Sequence, residues 1–299
     1  MRTLLLSVLL LSSFAQAADR APLALASVHA AVVELDSGDV LYEKHADRQV
    51  PVASITKLMT AMVVLDAGQP LNEWLKVHER ATPPPRNAWS RIRIGSEARR
   101  RDLLWISLMS SENLAVYTLG RHFPGGTEGL IAAMNDKARE LGMTQSRFVD
   151  ASGLSADNLS SASDLARMLI AAHEYEEIRE LSTRTYRRVG FRQPRYALEF
   201  GNTNRLVHSS RWNVSLSKTG YISEAGRCLT MVSEVDGRPV AMVFLDSLGR
   251  LSPIGDAGRV RRWLETGEPG QVAGAALAYE RERSAAYQVS GQTELASSP

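Results

Sequence analysis

Val52-Ala53-Ser54-Ile55-Thr56-Lys57-Leu58-Met59-Thr60-Ala61-Met62-Val63-Val64-Leu65 decides the reading of this chain. From about Ser54 it is apolar almost all the way round a helix. A helix without a polar face belongs in the middle of its domain. Its first turn nevertheless carries a hydroxyl and an amine three residues apart, and residues at i and i+3 share a helix face. Ser54 Oγ and the Lys57 ammonium are therefore expected as neighbours. Burial disfavours a charged lysine and lowers its pKa. A neutral amine beside a serine can take its proton and make the oxygen a nucleophile. Alone, the pattern is weak: Ser54 reads equally as a helix cap, and Ser215-Leu216-Ser217-Lys218 has the same letters.

Two further signatures lie downstream. Residues 102–119 are helical in pattern but contain Ser110-Ser111-Glu112-Asn113. Serine and asparagine compete for backbone hydrogen bonds and favour helix ends, so a helix–turn–helix broken at Ser111 and Asn113 is expected. Residues 212–218 read as a strand ending at Thr219-Gly220. Each signature alone reads more simply as a turn or a strand end; together, each sits in a context that suits a reactive group.

Outward from these, residues 28–35 and 40–43 flank Asp36-Ser37-Gly38-Asp39 and read as a hairpin. Residues 227–234 and 239–246, around Val235-Asp236-Gly237-Arg238, give the strongest hairpin signal. Residues 127–141 read as a helix closed by Gly142. Residues 148–161 read as a loop, and Ser163 as the cap of a helix reaching about Ala172. Thr82-Pro83-Pro84-Pro85 suits neither a helix interior nor a central strand. A last helix spans 256–265, with Gly267 past its end. Strands at both ends and helices between predict an α+β fold: an antiparallel β-sheet from N- and C-terminal strands with a large helical insertion.

The 299 residues are 44% hydrophobic and 23% charged, ordinary for a globular chain, and the formal charge of +2 argues against a nucleic-acid partner. Arg2, an apolar run to Phe14 and Ala15-Gln16-Ala17 read as a signal peptide over 1–17. Its removal lowers the charge to +1. The expected organisation is a signal peptide at 1–17, a catalytic domain at 18–267 and a polar, frayed tail at 268–299. An exported, periplasmic protein without a stable membrane anchor follows. Cys228, the only cysteine, is expected buried in a strand. The six histidines show no ligand spacing, so no metal and no cofactor are expected. Residues 91–101 are rich in arginine and read as a solvated face, or as a surface attracting anionic substrate or wall polymer.

The ordered set Ser54-Ile55-Thr56-Lys57, Ser111-Glu112-Asn113 and Lys218-Thr219-Gly220 resembles the low-molecular-mass penicillin-binding proteins, the serine DD-peptidases of the bacterial wall. More closely, it is similar to their periplasmic D-alanyl-D-alanine endopeptidase branch, and the likeness runs from about Ala30 to Trp263. The resemblance implies a β-lactamase/transpeptidase-like fold and a set of roles. Ser54 becomes acylated, Lys57 is the general base, and Ser111 relays a proton. Asn113 holds the substrate backbone and Lys57. Lys218 and Thr219 bind a carboxylate, and Gly220 lets the substrate approach. The backbone N–H groups of Ser54 and Tyr221 form the oxyanion hole. Peptidoglycan stem peptides are the implied substrates, and β-lactams the covalent inhibitors.

Three alternatives stand beside this reading. A class A β-lactamase would need an E-x-x-L-N segment between Asn113 and Lys218, which is absent, and a class D enzyme an apolar residue at Asn113. A DD-carboxypeptidase would ordinarily add a β-rich domain and an amphipathic anchor, and many carry glycine where Glu112 stands. A non-catalytic wall-binding protein would not need all of Ser54, Lys57, Ser111, Asn113, Lys218 and Thr219.

Overall fold

The computed structural model describes residues 20–80 and 89–297, with side chains to residue 288. The segment read as a signal peptide and the run Thr82-Pro83-Pro84-Pro85 lie outside the described residues.

Near the amino terminus β1 (His29–Glu34) and β2 (Val40–Lys44) form the expected hairpin. β3 (Val50–Pro51), a 3-10 turn at Ala53–Ile55 and α1 (Thr56–Asp66) follow. The insertion continues through β4 (Trp74–Lys76), β5 (Glu97–Arg99), α2 (Arg100–Met109), α3 (Asn113–Arg121) and α4 (Gly126–Glu140). It then passes β6 (Leu159–Ser160), α5 (Ala162–His173) and α6 (Glu176–Thr183). A two-stranded ribbon, β7 (Tyr186–Phe191) and β8 (Tyr196–Gly201), leads into the meander β9 (Val214–Ile222), β10 (Gly226–Val235) and β11 (Arg238–Ser247). α7 (Ser252–Thr266) and α8 (Gly274–Ser297) close the chain.

The main sheet runs β2-β1-β11-β10-β9, antiparallel throughout. The amino-terminal strand β1 pairs with β11, His29 opposite Leu245 and Glu34 opposite Val240. The chain ends are thus joined through one sheet, and the α+β expectation holds. The alternation of β11 explains the layering. Ala241, Val243 and Leu245 face the core that contains α1, while Val240, Met242 and Phe244 face Val260, Trp263 and Leu264 of α7. A strand covered on both faces reads as one apolar run rather than as an alternation.

α1 is buried from Thr56 to Val64, as its sequence requires. Its polar groups are answered locally: Thr56 Oγ1 donates to Ala53 O at 2.8 Å and Thr60 Oγ1 to Ala151 O at 2.7 Å.

Four details depart from the sequence reading. Lys218-Thr219-Gly220 lies inside β9 rather than at its end, because pairing with β10 continues to Ile222 opposite Gly226. The cap of α5 is Ser161, whose side chain accepts the Asp164 N–H, not Ser163. The arginine-rich stretch is not simply solvated: Arg100 is 1% exposed and pairs with Glu73. Residues after Glu268, expected to fray, include the helix α8.

α8 docks because Tyr279, Arg283 and Tyr287, four residues apart, share one helix face. All three donate to the buried carboxylate of Asp246, at 2.6, 2.7 and 3.0 Å. Leaving a buried polar group without its partner costs about 1–3 kcal/mol. Asp246→Ala is therefore expected to destabilise the protein by about 2 kcal/mol in thermal unfolding and to open residues 274–297 to limited proteolysis. An unchanged melting curve and digestion pattern would show that the helix is held by other contacts.

Candidate active site

The first turn of the central helix meets three other elements. Ser54 lies in the 3-10 turn and is 9% exposed; Lys57, one turn on, is 1% exposed. Lys57 Nζ stands 2.7 Å from Ser54 Oγ, 2.7 Å from Asn113 Oδ1 and 2.6 Å from Ser152 O. The last two atoms can only accept. A neutral amine has two N–H groups and one lone pair. With both N–H groups given to Asn113 and Ser152, the lone pair is left to accept the Ser54 hydroxyl. Burial drives Lys57 toward this state: it lowers the pKa from its ordinary 10.5 to about 7, against the opposing charges of Asp150 and Glu112.

The second cluster follows from the break between α2 and α3. Glu112 is the N-cap of α3, accepting the Ala115 N–H at 2.6 Å. That cap starts the helix at Asn113 and fixes its amide against Lys57. Ser111 sits at φ +60°, a left-handed conformation uncommon for serine. Its Oγ accepts from Lys218 Nζ at 3.0 Å. Lys218 also donates to Thr219 O at 2.8 Å. Burial, then the neighbouring Lys57, holds its pKa well below the ordinary lysine value.

The third element is β9. A Cβ placed on Gly220 would stand 3.1 Å from Ser54 N and 3.2 Å from Val52 O, so any side chain here would press on the nucleophile's turn, and glycine lets the strand lie this close. Tyr221 follows immediately; its half-exposed ring is covered by the Arg227 guanidinium at 3.7 Å. Thr219 Oγ1 donates to Thr203 Oγ1 at 2.7 Å. Ser54, Ser111, Asn113, Thr219, Gly220 and Tyr221 line one cleft of about 880 Å³, with Lys57 and Lys218 beneath its floor. All eight residues singled out from the sequence are thus gathered in one place. The competing Ser215 is not among them: it lies on β9, and its hydroxyl meets His173 Nε2 at 2.9 Å.

The sequence reading passed over the loop that supplies Ser152 O. Asp150 gathers the backbone N–H groups of Ser152, Gly153 and Ser155 at 2.5–2.7 Å. Asn158 pins the loop to α1, donating to Thr56 Oγ1 at 3.1 Å and accepting from Val149 N and Asp150 N. The signal was Asp150-Ala151-Ser152-Gly153, an acidic residue set to bond the backbone just after it. Cys228 is buried on β10 as expected, its pKa pushed up to about 12 by burial, which keeps the thiol protonated. Among the described residues no group of three or more His, Cys, Asp or Glu side chains is placed to hold a metal ion.

A nucleophile beside a neutral amine, a hydroxyl–amide pair opposite and a lysine under an open strand form a machine for acyl transfer. Comparison with known proteins agrees. A family model described as D-alanyl-D-alanine carboxypeptidase matches residues 15–249. The chain is 46% identical to the D-alanyl-D-alanine endopeptidase of Escherichia coli (strain K12), over 90% of this chain and 87% of that protein. It is also 46% identical to the D-alanyl-D-alanine endopeptidase of Pseudomonas aeruginosa, over 87% of this chain and 84% of that one. Penicillin-binding protein D2 from Listeria monocytogenes, solved in its ampicillin-bound form, superposes with a TM-score of 0.70 at 29% identity. That likeness covers 83% of this chain and 99% of that one.

Proposed function

The chain belongs to the S11 family of D-alanyl-D-alanine peptidases, and from that membership we propose that it is a periplasmic serine DD-endopeptidase. It hydrolyses D-alanyl–diaminopimelate cross-links of peptidoglycan through an acyl-enzyme on Ser54. The observation that carries this is the set of contacts of Lys57 Nζ, which stands 2.7 Å from both Ser54 Oγ and Asn113 Oδ1 and 2.6 Å from Ser152 O.

In the reaction, Ser54 Oγ attacks the D-alanyl carbonyl carbon as its proton passes to Lys57 Nζ. The oxyanion is held by the Ser54 and Tyr221 N–H groups. Collapse breaks the C–N bond, and the proton held by Lys57 is relayed through the Ser111 hydroxyl to the leaving amine, which returns Lys57 to its neutral form. Water, with Lys57 again as base, then attacks the acyl carbon and frees Ser54. The carboxylate beside the leaving amine docks on Lys218 and Thr219. Its arrival favours the charged form of Lys218, which burial alone disfavours. A β-lactam enters by the same acylation. The amino-terminal segment, read as a signal peptide, supplies the periplasmic address.

The test uses the purified protein. Fluorescent penicillin is expected to label it covalently and to leave Ser54→Ala unlabelled. Cross-linked muropeptide dimers are expected to fall to monomers, with product masses as the readout. Pentapeptide shortened to tetrapeptide, with dimers untouched, would make the enzyme a carboxypeptidase. Labelling that persists in Ser54→Ala would remove the nucleophile assignment.

A further inference from the structure

The arginine-rich strip beside the cleft divides into two groups. Arg93 and Arg99 have no carboxylate among the described residues but lie over the Tyr196 and Trp74 rings, outside the cleft lining, while four other cations are answered: Arg100 by Glu73, Arg101 by Glu180 and, in and next to β7, Arg187 by Asp102 and Arg192 by Glu97. Arg91 is not. Its guanidinium donates to the backbone oxygen of Glu199 at 2.5 Å and lies over the Phe200 ring at 5.3 Å. No carboxylate among the described residues pairs with it. The side chain is thus held by β8 while its charge stays unneutralised. Trp89, two residues earlier, is 77% exposed, and both residues line the cleft that holds Ser54.

Their position along the cleft decides what they can meet. The scissile carbonyl must lie at Ser54, beside Gly220, and the carboxylate next to the leaving amine at Thr219. Thr219 touches Thr203, and the cleft wall continues through Gly201 and Phe200 to Arg91. β9 leads the other way, through Tyr221 and Ile222, along the acyl side. Arg91 therefore lies beyond the leaving group's carboxylate, and Trp89, two residues before it in the chain, lines the same cleft. A leaving D-alanine ends at that carboxylate and has no atoms to place there. A leaving diaminopimelate continues into a whole stem peptide with further free carboxylates.

Resting on the endopeptidase reading above, we propose that Arg91 and Trp89 form a subsite for the second stem peptide of a cross-linked substrate. Arg91 pairs with a carboxylate of that peptide, and Trp89 covers its backbone. The subsite selects the cross-link over a terminal D-alanine without taking part in bond breaking.

The experiment compares purified wild type, Arg91→Gln and Trp89→Ala. Each is assayed on a tetrapeptide-cross-linked muropeptide dimer and, separately, for its rate of acylation by fluorescent penicillin, which carries no second peptide. The ratio of dimer kcat/KM to penicillin acylation is expected to fall about tenfold in Arg91→Gln, the scale of one hydrogen bond to a charged group at an open site. It is also expected to fall in Trp89→Ala, and the Arg91 effect should shrink at high salt. Amidating the leaving stem's carboxylates other than the one beside the scissile nitrogen should cost wild type the same factor and Arg91→Gln nothing more. A ratio unchanged in both variants, with wild type cleaving the dimer, overturns the subsite alone. A wild type that takes penicillin yet leaves the dimer intact overturns the endopeptidase reading, and the subsite with it.

Discussion

Lys57→Ala is expected to lose acylation by penicillin and by peptide by about a thousandfold or more while keeping the fold. The size follows from what the amine supplies. A positioned general base contributes about 10²–10⁴-fold, and at this serine no other base lies within hydrogen-bond reach among the described residues. The fold should survive because α1 is held by apolar packing on every side. The variant leaves Asn113 Oδ1 and Ser152 O without their donor, a loss of about 1–3 kcal/mol. Thermal unfolding separates this loss from the kinetic one. Acylation at the wild-type rate in a folded Lys57→Ala would refute the role.

The same group sets a pH dependence. With the Lys57 pKa lowered to about 7, acylation by wild type should rise with pH through that value as the neutral amine becomes the main form. It should level off once the group is fully deprotonated, and the residual rate of Lys57→Ala should lack this limb. Stability has the same sign. Between about 7 and the ordinary 10.5, the unfolded chain still holds a proton that the folded one has lost, so rising pH favours folding across that window. The gain should be smaller in Lys57→Ala.

What the sequence made legible was whatever depends on near neighbours. Ser54 and Lys57 are set together by helix geometry, and the break at Ser111–Asn113 by the preference of short polar side chains for helix ends. The β10–β11 turn follows from Asp236-Gly237, both at positive φ. What stayed hidden depends on partners far away in the chain. Lys218-Thr219-Gly220 looked like a strand end because glycine and threonine resemble a turn, yet β10 pairs across it. The frayed-tail reading of the residues after Glu268 weighed polarity and missed the Tyr279, Arg283, Tyr287 spacing. That spacing acquires meaning only when Asp246, 33 residues before Tyr279, is beside it. Arg100 reads as solvent-facing until Glu73 is placed opposite. Residues 148–161 are legible as a loop, but nothing local says that the Ser152 carbonyl reaches an amine 95 positions away.

Gly153 is where that loop is most exacting, and Gly153→Ala is the second large effect expected. Gly153 adopts φ +79°, and a Cβ there would fall 1.9 Å from Ala53 O and 2.9 Å from Ser54 N. Neither neighbour is a side chain that can swing aside. Ala53 is itself held at φ +47°, and the far side of its turn rests against Gly220. The left-handed conformation costs an alanine about 1–2 kcal/mol, and forcing atoms into a filled space adds about 1–3 kcal/mol. A loss near 3 kcal/mol is the expected sum. Relief must come from moving the loop or the turn, and either motion separates Lys57 from Ser152 or shifts Ser54. A displacement of about 1 Å at a reacting centre can cost a hundredfold, so penicillin acylation should fall on that order at a temperature where the variant is still folded. Gly142→Ala is the control: it shares a positive φ, +67°, but its Cβ would meet nothing within 4 Å. It should lose only the conformational part of the stability and acylate normally. Equal losses of stability in the two variants, or normal acylation by Gly153→Ala, would mean that the turn carrying Ser54 does not depend on the close approach of this loop.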